Sequence, residues 1–219
     1  MQLYIGNKNY SSWSLRAWLL LAKSKLTFSE TQLVLGTPSF YKTLENITPT
    51  LKVPTLVDGD ITVWDSLAIC EYINDTYLSG KAWPQNAQQK AEARAIVCEM
   101  HSGFNAIRNE MPMNIRAKRR IELTEQAQID IKRVEAIWDQ QHTRYATQGG
   151  WLFGQWSIAD AMFAPVVLRF ETYGIKLNDN ATCYMQHTLA CPVLQKWISD
   201  SSLEKNIIQI NEAGEDILG

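Results

Sequence analysis

Three serines, Ser11, Ser12 and Ser14, crowd the stretch "NKNYSSWSLRAWLLLA" at residues 7–22, directly after a short apolar run, "LYI". Beyond them the apolar residues fall at helical spacing, so the hydroxyls stand at the entrance to a helix. A helix N-terminus carries free N–H groups and roughly half a positive charge, and anions or thiolates sit well there. Ser14 is the expected N-cap. That leaves Ser11 and Ser12 on the loop at the C-terminal end of a strand, where open α/β sheets bind ligands. Ordinary capping and turn chemistry accounts for the same hydroxyls, so this stretch alone leaves both roles open.

Two other constellations carry chemistry of a related kind. Val53-Pro54 precedes the apolar run "TLV", and a proline is tolerated at the first residue of a strand. If that bond is cis, the N–H and C=O ahead of it turn outward and can pair with an extended peptide. In Trp64-Asp65-Ser66-Leu67, Ser66 is expected to cap a helix whose amides can hold a carboxylate, while Asp65 can hold an ammonium. Together they would grip both ends of an α-amino acid; a capping serine after a strand is the alternative. Ser157-Ile158-Ala159-Asp160 is a capping-box variant with Asp at its last position, and Asp160 is expected to be structural.

These residues need elements to hold them. The first 80 residues alternate strand-like and helix-like pieces: "QLYIG", a helix over 14–22, "FSETQLVL", a short helical "SFYKTLENI", then "PTLV" and "ITV" about Asp58-Gly59-Asp60. An Asp-Gly turn between apolar runs is a hairpin signal, and a helix follows from Ser66. The order β-α-β-α-β-β-α describes a small mixed α/β unit. "LSGKAWPQNAQ" is polar, with a Pro and a Gly, and reads as a linker. Beyond it two long helices are expected over 88–118 and 121–147, the second with Ala127, Ile131, Val134 and Trp138 on one face. "GQWSIADAMFAPVVLRFETYG" forms another, kinked at Pro165, with shorter helices around 182–200 and 203–210. The expected division is 1–80, a linker at 81–87, and an all-helical part at 88–219.

Composition narrows the function. A chain of 219 residues with 46% apolar and 20% charged content is that of a soluble globular protein. The net charge of −2 gives no footprint for nucleic acid, and "RAKRR" at 116–120 reads as a solvated helix junction. His101, His142 and His187 lack metal-ligand spacing, so no metal is expected. Cys70, Cys98, Cys183 and Cys191 form no CxxC pair, the N-terminus is not signal-like, and no apolar stretch approaches the ~20 residues of a membrane span. A cytoplasmic protein with no membrane association is the expectation.

In their order and spacing, Ser11-Ser12-Trp13-Ser14-Leu15-Arg16, Val53-Pro54, Asp65-Ser66 and Gly154-x-x-Ser157-Ile158-Ala159-Asp160 make the chain resemble the cytosolic glutathione transferases along essentially its whole length. The resemblance implies an α/β thioredoxin-like N-terminal domain, an all-α C-terminal domain, a homodimer, and glutathione as co-substrate. The serine pattern is most similar to the zeta class, which includes maleylacetoacetate isomerases. It departs from that class at Trp13, where the class has Cys, and Thr48 precedes Pro49 where many relatives have Asn.

By this resemblance Ser11 is the serine nearest the glutathione sulfur. Ser12 is second, because other serine-type classes place the hydroxyl four residues before the Arg. The implied glutathione contacts are Ser11, Trp13, Lys52, Val53, Pro54, Asp65 and Ser66. Among them the Val53 main chain meets the cysteinyl part, while Asp65 and Ser66 hold the γ-glutamyl ammonium and carboxylate. His101, Arg108, Met113 and Arg169 are placed at a second-substrate pocket, with Asn114 nearby. The implied activity is thiol activation for attack on a small, electrophilic, partly apolar substrate. The alternatives are glutathione-dependent cis–trans isomerisation of the maleylacetoacetate type, and a non-enzymatic binding or regulatory protein.

Overall fold

The computed structural model describes residues 1–217. Strand β1 (Gln2–Ile5) buries Leu3 and Ile5 completely, as the alternation of a pleated strand requires. It leads through a loop into α1 (Ser12–Lys23), then β2 (Ser29–Gln32), α2 (Pro38–Leu44), β3 (Thr55–Asp58), β4 (Ile61–Trp64) and α3 (Ser66–Tyr77). The sheet order is β2-β1-β3-β4, with β1 parallel to β2 and β3 antiparallel to both its neighbours. The β3–β4 hairpin turns at Gly59, whose φ of +58° suits a residue without a side chain. This is the mixed α/β unit anticipated from the pattern, and α1 packs against α3.

The remainder is mostly helical: α4 (Ala87–Ser102), α5 (Asn105–Glu110), α6 (Glu125–Tyr145), α7 (Ile158–Tyr173), α8 (Asp179–Leu189) and α9 (Pro192–Ser202). Three details differ from the sequence expectation. The helix expected over 88–118 stops at Ser102. A Cβ on Gly103 would sit 2.7 Å from the Glu99 carbonyl oxygen, and Phe104 then takes a left-handed φ of +54°. The stretch 182–200 divides ahead of Pro192, and 203–210 yields only the single 3-10 turn Gln209–Asn211. This half also contains a two-residue ladder, β5 (Arg119–Arg120) against β6 (Glu215–Asp216), pairing too short for periodicity to reveal.

One core joins both parts. Helix α7 is almost wholly buried, with Pro165 in its middle, and packs on α1, α4 and α8. Trp138 of α6 sits among Phe163, Phe170 and Tyr184 with ring centroids 5.2–6.2 Å apart. At the other end Lys8 is buried between Trp18 and Trp197, and pairs with Glu30 at 2.7 Å and Asp200 at 2.8 Å. The charge is thus neutralised where water is excluded, and the loop after β1 is pinned to α9. No described helix is long and apolar enough to cross a membrane.

Candidate functional site

The serine-rich loop is built differently from its sequence reading. Helix α1 starts at Ser12 and its N-cap is Ser11; Ser14 lies inside the first turn. The Ser14 Oγ instead accepts a hydrogen bond from the Gly6 N–H at 3.1 Å and another from the Ser11 hydroxyl at 2.7 Å. Ser14 therefore ties the end of β1 to the start of α1, which is why it is not the cap. The loop ahead of it is held from the helical side. Glu204 accepts the Lys8 and Asn9 amides at 2.5 and 3.1 Å, Asn9 Oδ1 accepts the Arg116 amide at 2.9 Å, and the Tyr10 hydroxyl donates to Glu212 at 2.5 Å. Asn114, expected near a substrate pocket, is buried as part of this bracing and accepts from Asn9 Nδ2 at 2.8 Å. No local sequence signal marks these ties, since their partners lie about a hundred or more residues away.

Beside the loop opens a cavity of about 640 Å³, walled by Ser11, Ser12, Trp13, Arg108 and Arg169. A hollow of about 340 Å³ holds Pro54, Asp65 and Ser66. Trp13, Lys52 and Val53 line both. All seven residues expected to contact a peptide-like ligand thus lie on one connected surface. The Val53-Pro54 bond is cis, and among the described residues no hydrogen bond engages the Val53 backbone.

At the start of α3 the expected roles are exchanged. Asp65, with φ of +73°, is the N-cap, and its Oδ1 accepts the Leu67 and Ala68 amides at 2.8 and 3.2 Å. Ser66 is the first helical residue, and its buried Oγ has no partner among the described residues. A carboxylate reaches the second and third amides better than a serine one position later, so Asp65 takes the cap. The other Asp65 oxygen lies 3.0 Å from His101 Nε2. Burial works against the Asp65 charge, but His101 and the two cap amides together hold the carboxyl below its usual range.

Two expected pocket residues fall elsewhere. His101 walls neither cavity: it faces Asp65 and sets its ring edge against Trp13, centroids 5.3 Å apart. Met113 is fully buried in the core. His101 lies on α4 ahead of the break at Gly103, and Met113 lies in the irregular segment that follows α5. Arg108 and Arg169 do reach the cavity wall.

Those two arginines belong to a cluster. Trp13 lies between the guanidinium of Arg16, 4.3 Å from the ring centroid, and that of Arg108, 4.7 Å away. Arg108 donates to the carbonyls of Gly103, Met100 and His101. Arg169 is 6% exposed and donates to the Met111 carbonyl and, at 3.2 Å, to Ser12 Oγ. Burial, then the neighbouring Arg108 charge, brings Arg169 down to about 10. Burial and both neighbours pull Arg16 well below the usual arginine range. Among the described residues no carboxylate stands at ion-pair distance from any of the three. Their field favours an anion at the Ser12 end of the cavity. No group of three or more His, Cys, Asp or Glu side chains suited to a metal occurs among the described residues.

Residues 10–76 match the family described as glutathione S-transferase, N-terminal domain. Among curated proteins the chain is 34% identical over 94 residues to glutathione S-transferase 1 of Dianthus caryophyllus, covering 42% of this chain and 41% of that one. It is 32% identical over 108 residues to a probable maleylacetoacetate isomerase of Caenorhabditis elegans, 49% of each chain. The chain thus spans about half the length of the curated relatives it matches. Among solved structures, a glutathione transferase homolog from Burkholderia with bound glutathione superposes with a TM-score of 0.71 at 22% identity, over 92% of this chain and 97% of that one. The similarity in fold therefore extends over nearly the whole chain, at 22% identity.

Proposed function

We propose, from the premise that this chain belongs to the glutathione transferase family, that it activates the thiol of glutathione for attack on a small, electrophilic, partly apolar substrate. The observation that carries this reading is the single connected surface joining the α1 hydroxyls, the free Val53 backbone, and the Asp65–Ser66 pair. Glutathione would lie extended beside Val53, its cysteinyl N–H and C=O paired with that backbone. Its γ-glutamyl ammonium would meet Asp65, and its γ-glutamyl carboxylate would meet the orphan Ser66 hydroxyl and the first amides of α3. Lys52, Pro54 and Trp13 complete the wall. The thiol would then sit at the Ser11–Ser12 end.

The energetics suit that task. A free thiol has a pKa near ~8.5, so only ~3% is thiolate at neutral pH. Lowering the pKa by ~2 units requires about 2.7 kcal/mol of preferential stabilisation. A hydroxyl donating to a charged acceptor supplies roughly 1.5–3 kcal/mol, and a helix N-terminus ~0.3–1 kcal/mol. The thiol proton leaves to water, and the sulfur lone pair attacks the electrophilic carbon. No covalent bond to the protein is needed.

A second reading, isomerisation of a maleyl compound, is favoured by one observation: Arg108 and Arg169 stand on the cavity wall without carboxylate partners. They suit a substrate bearing a carboxylate. There the thiolate adds to a double bond, rotation follows, and the thiol leaves. The further properties in this proposal are a homodimer, cytoplasmic residence, a role in detoxification, and a division into 1–80 and 88–219 joined by 81–87. The test is calorimetric titration with glutathione, followed by parallel assays with an activated chloroarene and a maleyl acid. Binding with conjugation supports the first reading, and isomerase turnover far above conjugation favours the second. Absence of both binding and turnover would leave a non-enzymatic protein of this fold.

A further inference from the structure

We propose that Arg169, reaching from α7, polarises and orients the Ser12 hydroxyl, so that Ser12 rather than Ser11 donates to the glutathione sulfur; this rests on the glutathione reading above. The two hydroxyls face the same cavity but are committed differently. The Ser11 proton is engaged, donated at 2.7 Å to Ser14 Oγ, which also accepts the Gly6 amide. What Ser11 has left to offer is acceptor capacity, which a thiolate cannot use. Ser12 is the reverse. Its oxygen accepts from Arg169 Nη2 at 3.2 Å, and no described residue takes its proton. The one group it has free is a donor, pointed at a cavity that needs one.

Arg169 is placed to strengthen that donor. It is 6% exposed, fixed through its bond to the Met111 carbonyl, and no carboxylate among the described residues offsets its charge. A hydroxyl whose lone pair is held by a cation donates more strongly, and the effect is larger where water is excluded. With one acceptor site filled by a guanidinium, Ser12 is also a poor acceptor for a neutral S–H. It therefore discriminates in favour of the anion, the condition for a depressed pKa. Arg169 stays protonated throughout, the thiol proton goes to water, and neither residue forms a covalent bond to sulfur. Ser12 is the catalytic residue; Arg169 is a positioning residue acting through it.

The test is titration of glutathione bound at saturation, read by thiolate ultraviolet absorbance, in the parent, Ser11→Ala, Ser12→Ala, Ser12→Thr, Arg169→Met and Arg169→Lys. Ser12→Ala should raise the bound thiol's pKa by about 1–2 units, about a unit more than Ser11→Ala does. Ser12→Thr, which keeps the hydroxyl, should restore most of the difference. Arg169→Met should raise it by about 1 unit, Arg169→Lys by less, and the Ser12→Ala/Arg169→Met double variant by clearly less than the sum of the two single shifts, as a shared pathway requires. Should Arg169→Met fail to fold, the Ser11, Ser12→Ala and Ser12→Thr comparison still decides which serine acts, and Arg169→Lys reads the polarisation. A larger shift in Ser11→Ala than in Ser12→Ala, or additive shifts in the double variant, overturns the proposal. Calorimetry separates the two levels: a parent that does not bind glutathione removes the proposed function, whereas a parent that binds it with a thiol indifferent to Ser12 removes only this inference.

Discussion

Helices α3 and α7 both begin with an aspartate and a serine, yet the two N-termini are opposite in character. At α7 every oxygen is used. Asp160, 1% exposed, accepts from the Ser157 and Leu152 amides at 2.9 and 3.0 Å, from the Ser157 hydroxyl at 3.2 Å and from Tyr184 at 3.3 Å. At α3 the Asp65 side chain is 43% exposed and Ser66 Oγ has no partner among the described residues. The same two residue types make a sealed joint in the core and an open receptor at a cavity. What separates them is saturation: a helix start with nothing left to bond is architecture, and one with a free hydroxyl and a half-open carboxylate is ready for a ligand.

The comparison can be broken in four ways, from largest effect to smallest. Asp160→Ala strands the Leu152 and Ser157 amides in the core and should cost roughly 3 kcal/mol or more, read as a lower urea midpoint. Glutathione affinity, measured where the variant is still folded, should be unaltered. The same carboxyl makes stability depend on pH. Burial raises its pKa to about 6, above an unfolded value near ~3.9, so the folded state holds the proton more tightly. Its contribution is complete below pH ~4 and is lost as pH rises through about 6, an effect on the order of 3 kcal/mol. Asp160→Asn should flatten that slope in thermal melts between the two pH values.

At α3 the expectation inverts. Asp65→Asn keeps an equally good cap, so folding stability should fall by less than ~1 kcal/mol, while glutathione affinity drops roughly 10–100-fold through loss of the charge that meets the ammonium. A stability loss matching that of Asp160→Ala would erase the distinction between the two helix starts. Ser66→Ala should be the mildest: stability unchanged or slightly improved, because an orphan hydroxyl is removed, and affinity lower by about 3–10-fold.

Much of this was legible in the linear chain where the signal is local. Ser157 and Asp160 lie three residues apart, and their cap follows from that spacing. The Asp58-Gly59-Asp60 hairpin is likewise contained within a few residues, whereas the sequence left the isomer of Val53-Pro54 open and the structure makes it cis. The caps of α1 and α3 were displaced for a reason of the same scale but finer grain. Several adjacent polar residues compete for the same amides, and backbone angles such as the +73° of Asp65 decide among them. His101 and Met113 were placed at the pocket by the family resemblance alone, and tertiary packing turns the first toward Asp65 and buries the second in the core.

By itself the sequence determined the two textures of the chain and the starts of its first four helices to within two residues. Those depend on short-range pattern: alternation, helical spacing, turn chemistry. Only the tertiary structure decided which hydroxyl keeps a proton to give. The Ser12–Arg169 contact spans 157 positions of chain, and a hydrogen bond's availability depends on who has already claimed it, a matter settled when α7 packs against α1.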